Sequence, residues 1–339
     1  MTAEDDLRNT YLTDPQASPS ADVQDVERRL APLRFELRQR PLDLPLRSAR
    51  PRYRTIRTFA RLAAAVAIFT LAAAAYLSWR LSWTDGAPWK AAIDTGASGS
   101  VTTALDVNRP LTLTSTSTAR VNIARIGTMR VEPGSAITLA ETTSARHRVV
   151  LNHGAVSVRI WAPPGIFAFR TPSGSVRDLG CIFDLSVDEA GTSRVHVDTG
   201  WVQMDNDYGE SLVPAGASAE MRRLSRPGVP IYDDSSSEFA AAVRAAQDAG
   251  DAAEHRELDV ILRTARRHDV LTLLMLANVS PEDVKNVLLT RAAALWPPPS
   301  GVSIDAILAG DRDQLWKWHG ALDVPPVKSW WRNWRDAFR

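Results

Sequence analysis

The run from Leu62 to Trp79, LAAAVAIFTLAAAAYLSW, holds no charged residue and constrains the rest of the chain more than any other stretch. A helix rises about 1.5 Å per residue, so this run nearly crosses a hydrocarbon core of roughly 30 Å, and Leu81 can extend it. Arg47, Arg50, Arg52, Arg54, Arg57 and Arg61 precede it, and no acid stands between Asp43 and Asp85. The far flank offers only Arg80 and Lys90. Positive charge stays on the cytoplasmic side of a span, so the N-terminal head is expected inside and the long remainder outside. Tyr76, Trp79, Trp83 and Trp89 fit an aromatic belt at the outer interface. Two other readings suit the same letters: an alanine-rich helix buried in a soluble protein, and a cleavable signal with A-x-A triplets near Ala73. Length and flanks favour the span over the first, and a run that starts only at Leu62 lies too far from Met1 for the second. The arginines also attract anionic lipid, which makes membrane lipid an expected partner.

Forty basic residues against thirty-nine acidic ones leave a formal charge of +1. That balance carries no polyelectrolyte signature, so nucleic acid is not expected as a direct partner. Cys181 is the single cysteine, which excludes an intramolecular disulfide and any Cys-rich zinc site. Residues 1–58 read as a short head. Its first part mixes Asp, Glu, Ser and Pro, and Ser20 or Asp22 can then cap a helix through VQDVERRLAPLRFELRQ with Val23, Val26, Leu30 and Leu33 on one face. Pro32 interrupts that pattern. Pro41, Pro45 and Pro51 make an extended linker of the stretch between that helix and the span.

Beyond the span, expected at 59–81, the period changes to two. LTLTSTSTARVNIA, HRVVLNHGAVSVRI, GIFAFRTP, CIFDLSV and SRVHVDTGWVQM alternate or run β-branched, with Gly, Pro and Asn/Asp turns between them, so 87–232 is expected as an all-β domain of short, antiparallel or coiled, sandwich-like strands. VVLNHGAVSV (Val149–Val158) and VHVDTGWVQM (Val195–Met204) align without a gap, matching Val149 with Val195, Leu151 with Val197, Gly154 with Gly200 and Val156 with Val202. Each reads as strand, glycine corner, strand. Two copies are too few for a repeat array and point only to coiled-strand packing.

Phe167-Ala168-Phe169-Arg170-Thr171-Pro172, then Val176-Arg177-Asp178-Leu179-Gly180-Cys181-Ile182-Phe183, then Val195-His196-Val197-Asp198-Thr199-Gly200-Trp201-Val202, and the closing Val213-Pro214-Ala215-Gly216 together resemble the core of the FecR-type domain. The resemblance spans about residues 95–225. It implies a single-pass regulator of the bacterial inner (cytoplasmic) membrane, with a periplasmic domain that senses an outer-membrane signal and a cytoplasmic head that controls a sigma factor. Read physically, the motif is structural: Gly180 and Gly200 permit tight corners, Asp178 can bond a turn backbone, and Phe167, Phe169, Phe183 and Val197 fill a core. Cys181 fits as a small buried apolar residue, with no second thiol nearby in sequence to support redox sensing. The family's anti-sigma module is longer than the head seen here and often carries a tryptophan signature. The head has no Trp, and no His or Cys precedes His147, so a zinc-type anti-sigma head is excluded by its ligand count.

Residues 235–325 switch to helical spacing. Ser235-Ser236-Ser237-Glu238 reads as a capping box ahead of Phe239, Ala242, Val243 and Ala246, with Gly250 as the stop. A second helix carries Leu258, Ile261, Leu262 and Ala265, and a third runs from Val270 to Ala277. A fourth starts at Ser280-Pro281-Glu282-Asp283 with the stripe Val284, Val287, Leu288 and Leu295, and Pro297-Pro298-Pro299 ends it. Ser303–Ala309 and Asp311–Leu322 read as two shorter helices. The stripes suit a core before a groove. The tail 326–339 concentrates Trp330, Trp331 and Trp334 with Arg332, Arg335 and Arg339, which suits either a membrane surface or partner, or a fold back onto the helices.

Chemistry is not signalled. His147, His153, His196, His255, His268 and His319 are scattered, without HExxH, a G-x-S-x-G elbow or a P-loop. Asp205–Glu210 lacks the D-x-[DN]-x-[DN]-G spacing of a calcium loop and reads as a hairpin turn. The expectation is an α+β multidomain membrane protein, not an enzyme, with no catalytic, cofactor-binding or metal-ligating residue assigned. It would transduce or regulate an envelope signal through a periplasmic or outer-membrane protein partner, with a sigma factor at the head. The competing class is an envelope scaffold without signalling output.

Overall fold

The computed structural model describes residues 16, 18–33, 53–96, 99–249 and 255–324. The Trp/Arg-rich tail, the linker prolines and Arg47, Arg50 and Arg52 lie outside the described residues. The chain divides into two units, Met1–Val66 and Ala67–Arg339. In the first, helix α1 (Ala21–Leu30) tightens into a 3-10 turn, Ala31–Leu33. Pro32 falls in that turn, where its missing N–H breaks the α ladder. Ser20 holds the N-cap position with no side-chain bond, and no residue of α1 is buried.

Helix α2 (Tyr53–Leu81) contains a stretch, Arg61–Leu81, long and apolar enough to cross a membrane, with mean hydropathy 1.9 and none of it buried. Phe69 and Leu71 are 75% and 71% exposed.

Among the described residues fifteen strands follow, from Trp89 to Tyr232: β1 Trp89–Asp94, β2 Ser100–Leu105, β3 Pro110–Thr112, β4 Thr118–Ile123, β5 Gly127–Val131, β6 Ala136–Thr142, β7 His147–Ile160, β8 Phe167–Thr171, β9 Gly174–Asp178, β10 Ile182–Val187, β11 Ser193–Thr199, β12 Trp201–Asn206, β13 Gly209–Pro214, β14 Ala217–Met221 and β15 Ile231–Tyr232. They build two sheets. One runs β2-β1-β4-β5-β7-β10-β11-β14-β15, the other β3-β6-β7-β8-β9-β12-β13, and all strand pairs are antiparallel except β7 with β8. Both inner faces feed one core, in which Phe167, Phe169, Phe183 and Val197 are fully buried.

β7 belongs to both sheets. Its first half pairs with β6 and β8, and its second half with β5 and β10. Gly154 marks the crossing at φ +99°, where a Cβ would lie 2.5 Å from the Ser135 Cα. Gly200, at φ +80°, marks the reverse crossing from β11 in the first sheet to β12 in the second. The two matched sequence segments are therefore two of the places where the chain changes sheet, each around a glycine that tolerates the left-handed backbone. Asp205–Glu210 forms the β12–β13 hairpin with Asn206 opposite Gly209.

Six helices complete the second unit among the described residues: α3 Ser237–Ala249, α4 His255–Thr264, α5 Val270–Val279, α6 Glu282–Leu295, α7 Ile304–Leu308 and α8 Arg312–Gly320. α5, VLTLLMLANV, is apolar over most of its surface and has seven of its ten residues buried, with Asn278 exposed. Its Leu271 reaches the sheet core while Leu273, Leu274 and Leu276 fill the helical one, and the Thr272 hydroxyl donates to the Pro230 carbonyl at 2.7 Å. Three sequence details shift. Ser236, not Ser235, caps α3 by accepting from Phe239 N, because the Ser235 hydroxyl is drawn to the buried Asp269 carboxylate at 2.6 Å. The buried face of α6 is Leu288, Leu289 and Ala292, which leaves Val287 41% exposed. Trp89 is fully buried in β1 and not at an interface, because its indole N–H finds an internal partner in Thr142.

Candidate functional site: the junction of helix and sheet

A helix ends with carbonyls that lack intrahelical donors, and in α2 the β domain supplies them. The β4–β5 turn closes with Ile126 N donating to Ile123 O, and Ala124 takes φ +45° within it. Arg125, at the crest of that turn, donates through Nη1 to the Trp79 and Ser82 carbonyls at 2.9 and 3.0 Å and to the Ser82 hydroxyl at 3.1 Å. Its guanidinium also lies 4.6 Å from the Trp79 ring centroid and 5.5 Å from that of Trp83. A cation at a helix C-terminus interacts favourably with the dipole, and its face suits an indole.

The segment after the helix is clamped as well. Ser144, in the β6–β7 turn, accepts from Trp83 N at 3.0 Å and donates to Trp83 O at 2.9 Å. Gly86 N donates to Thr142 O, and the Trp83 indole to the Ala87 carbonyl. On the other flank the Arg80 guanidinium covers the Trp161 ring at 4.7 Å and donates to the Tyr76 hydroxyl at 3.2 Å, while Trp161 N bonds Ile126 O and so joins both flanks. Below this collar the Trp89 indole donates to Thr142 Oγ1, which stands 2.8 Å from His147 Nδ1. Burial, helped by Arg148, lowers the His147 pKa to about 4, so the ring is neutral at neutral pH and shares a hydrogen bond with the Thr142 hydroxyl through Nδ1. The collar thus holds the last turn of α2 and the two residues after it, Ser82 and Trp83, to three separate turns of the sheets. Its chemistry is mechanical: it orients a helix.

No protein-family model matches the chain, and no curated protein matches it. Two solved structures of a "putative anti-sigma factor" from Parabacteroides distasonis ATCC 8503 show similarity at TM-scores of 0.33 and 0.32, each with 17% sequence identity over 40% of this chain. The chain spans 65% and 64% of those solved chains. Values of this size establish neither a shared fold nor a shared activity.

A second feature sits in the corner between the two sheets. Gly180, at φ +91°, and Gly200 face each other closely enough that a Cβ on Gly200 would lie 2.3 Å from the Gly180 carbonyl oxygen. Asp178 is fully buried there. Its Oδ1 accepts from the Cys181 backbone N–H at 2.9 Å and from the Cys181 thiol at 2.6 Å, while Oδ2 has no partner among the described residues. Burial raises the Asp178 pKa to about 7 against the lowering effect of these bonds and of the Gly180 N–H. Burial likewise pushes the Cys181 thiol well up, reinforced by the adjacent carboxyl, which makes it a poor nucleophile.

The histidines do not converge. His196 lies near Asp198, Asp233 and Ser218, His268 pairs with Asp234 and stacks on Tyr232 at 3.9 Å, and His319 is half-buried beside Trp201, a desolvation that lowers its pKa. Among the described residues no group of three or more His, Cys, Asp or Glu could hold a metal ion. A cleft of about 210 Å³ between α5, α6 and α8 is lined by Ala277, Lys285, Asp311, Arg312 and Leu315, with no convergent acid–base pair. The residues that sequence reasoning missed are Arg125 and Ser144. Each is a turn residue whose partner lies 43 to 61 positions away, and the only local trace is a charged or polar side chain at the crest of a β turn.

Proposed function

We propose that this chain is a single-pass, non-catalytic regulator of the bacterial inner membrane. In this reading residues 1–58 form the cytoplasmic head, 59–81 the transmembrane helix, 87–232 a FecR-like β domain, 235–325 a helical domain and 326–339 a tail. The β and helical domains are periplasmic and bind a protein partner, and the head acts on a sigma factor. The collar is the observation that carries the reading. A tether would need only a flexible connection, whereas Arg125 binds the Trp79 carbonyl in the last turn of α2 and the Ser82 carbonyl just after it, and Ser144 clamps Trp83, so a displacement of the β domain becomes a displacement of the helix end. An unburied apolar span and the arginine-rich inner flank support the topology.

Topology is tested by fusing reporters after residue 339. Alkaline phosphatase should be active there and a cytoplasmic reporter silent, and the reverse pattern overturns the orientation. Output is tested by profiling transcripts in cells whose chain lacks residues 1–33. A regulator predicts a small, defined set of altered transcripts and loss of a co-purifying sigma factor. Envelope defects without transcript changes would instead favour a scaffold.

A further inference from the structure

Edge strands present unpaired backbone groups, and native proteins guard them with short length, proline, charge, bulges or a covering element. Among the described residues the two sheets have four edges, and three of them are guarded. β3 is three residues long and starts at Pro110. β13 carries Glu210, ends at Pro214 and has Ser211, Val213 and Pro214 buried. β15 is two buried residues under the helical domain, with Tyr232 stacked on His268 and Pro230 bonded by Thr272.

β2 is the exception. Its sequence, Ser-Val-Thr-Thr-Ala-Leu, has no charge and no proline, and it pairs with β1 in unbroken register from Leu105 opposite Trp89 to Ser100 opposite Asp94. Residues 100–104 are exposed on both faces, Val101 by 57%. Among the described residues no hydrogen bond joins Ser100–Leu105 to anything beyond the β1 ladder. Alternate N–H and C=O groups of the strand therefore point outward with no partner among the described residues, along a row about 20 Å long.

We propose that β2 is a docking edge that takes an extended segment of a partner protein as an added strand. The occupant follows from the groups on offer: a row of alternating donors and acceptors at strand spacing is matched in full only by another extended backbone. The flanking side chains set its composition. Val101 and Thr103 line one face and Ser100, Thr102 and Ala104 the other, so the segment is uncharged and β-branched at the positions opposite them. This deepens the partner-binding reading above and rests on it, since it names the surface by which the periplasmic partner is held.

The test places a photo-reactive amino acid at position 101, 102 or 103 of the full chain in living cells. Adducts from 101 and 103 should fall two residues apart in one partner segment, the signature of strand pairing. Guarding the edge with Val101→Lys and Thr103→Lys should cut the adduct yield from position 102 by about tenfold or more without lowering the melting temperature. Adducts without the two-residue step, adducts to this chain's own peptides, an unchanged yield in the guarded variant, or no adduct at any position would each overturn the proposal. Transcript changes on deletion of residues 1–33 separate the two ideas: if they persist while the edge gives no strand-type adduct, the surface alone is wrong, and if both fail the regulator reading falls too.

Discussion

At the scale of single residues, Asp178 and Gly200 show how the crossing between the sheets is held. A carboxyl with its folded pKa raised from 3.8 to about 7 binds its proton more tightly folded than unfolded. Its contribution to stability is therefore complete below about pH 4 and is lost as pH rises through 7, a change of about 4 kcal/mol. His147 works in the opposite sense: its folded pKa of about 4 lies below 6.5, so stability falls as pH drops from 6.5 towards 4. Urea midpoints from pH 4.5 to 8 should show a high-pH loss in the wild type that Asp178→Asn removes, because the amide cannot ionise. An identical slope in the variant would exclude Asp178 as the source. Glycine positions give a sharper contrast. Gly200→Ala drives a Cβ into the Gly180 carbonyl at a positive φ, whereas Gly216→Ala, at φ +74°, meets nothing within 4 Å. The second should cost about 1 kcal/mol and the first several times that, read as the shift in unfolding midpoint.

At the scale of elements, the collar predicts that Arg125→Ala loosens the end of α2. Hydrogen bonds from a charged donor together with its ring contacts are worth about 2 kcal/mol, and amide hydrogen exchange at residues 79–83 should accelerate while β10 and β11 stay protected. Uniform acceleration would mean global destabilisation, and no change would mean that Arg125 holds nothing. Arg125→Lys keeps the charge but loses the planar face and should fall between the two. The elements themselves were legible in the sequence where the pattern was local. Period-two runs from Trp89 to Tyr232 became strands, and the glycines of the two matched segments became sheet crossings. The hidden part is non-local. Trp89 left the expected aromatic belt because Thr142, 53 residues on, satisfies its indole N–H. Ser235 gave up the α3 cap to Asp269, 34 residues on. On α6 the letters offered two adjacent stripes, and only packing chose Leu289 over Val287. Arg125 carries no motif, because its function depends on where the end of another element happens to lie.

At the scale of the second unit, the C-terminal end of the apolar helix, from Ala67 to Leu81, is fastened to a two-sheet body, with the helical domain covering one sheet edge and β2 unpaired on its outer side among the described residues. Because Cys181 is buried and its thiol is pushed well up, cysteines placed elsewhere can be labelled selectively. The most direct measurement is therefore the distance distribution between spin labels at Leu71→Cys, on α2, and Asn122→Cys, on β4, in the full chain reconstituted in lipid nanodiscs. Rigid coupling predicts one narrow distribution that broadens when Arg125→Ala is added. A broad distribution in the wild type, unchanged by that substitution, would contradict the claim that the sheet body and the helix move together.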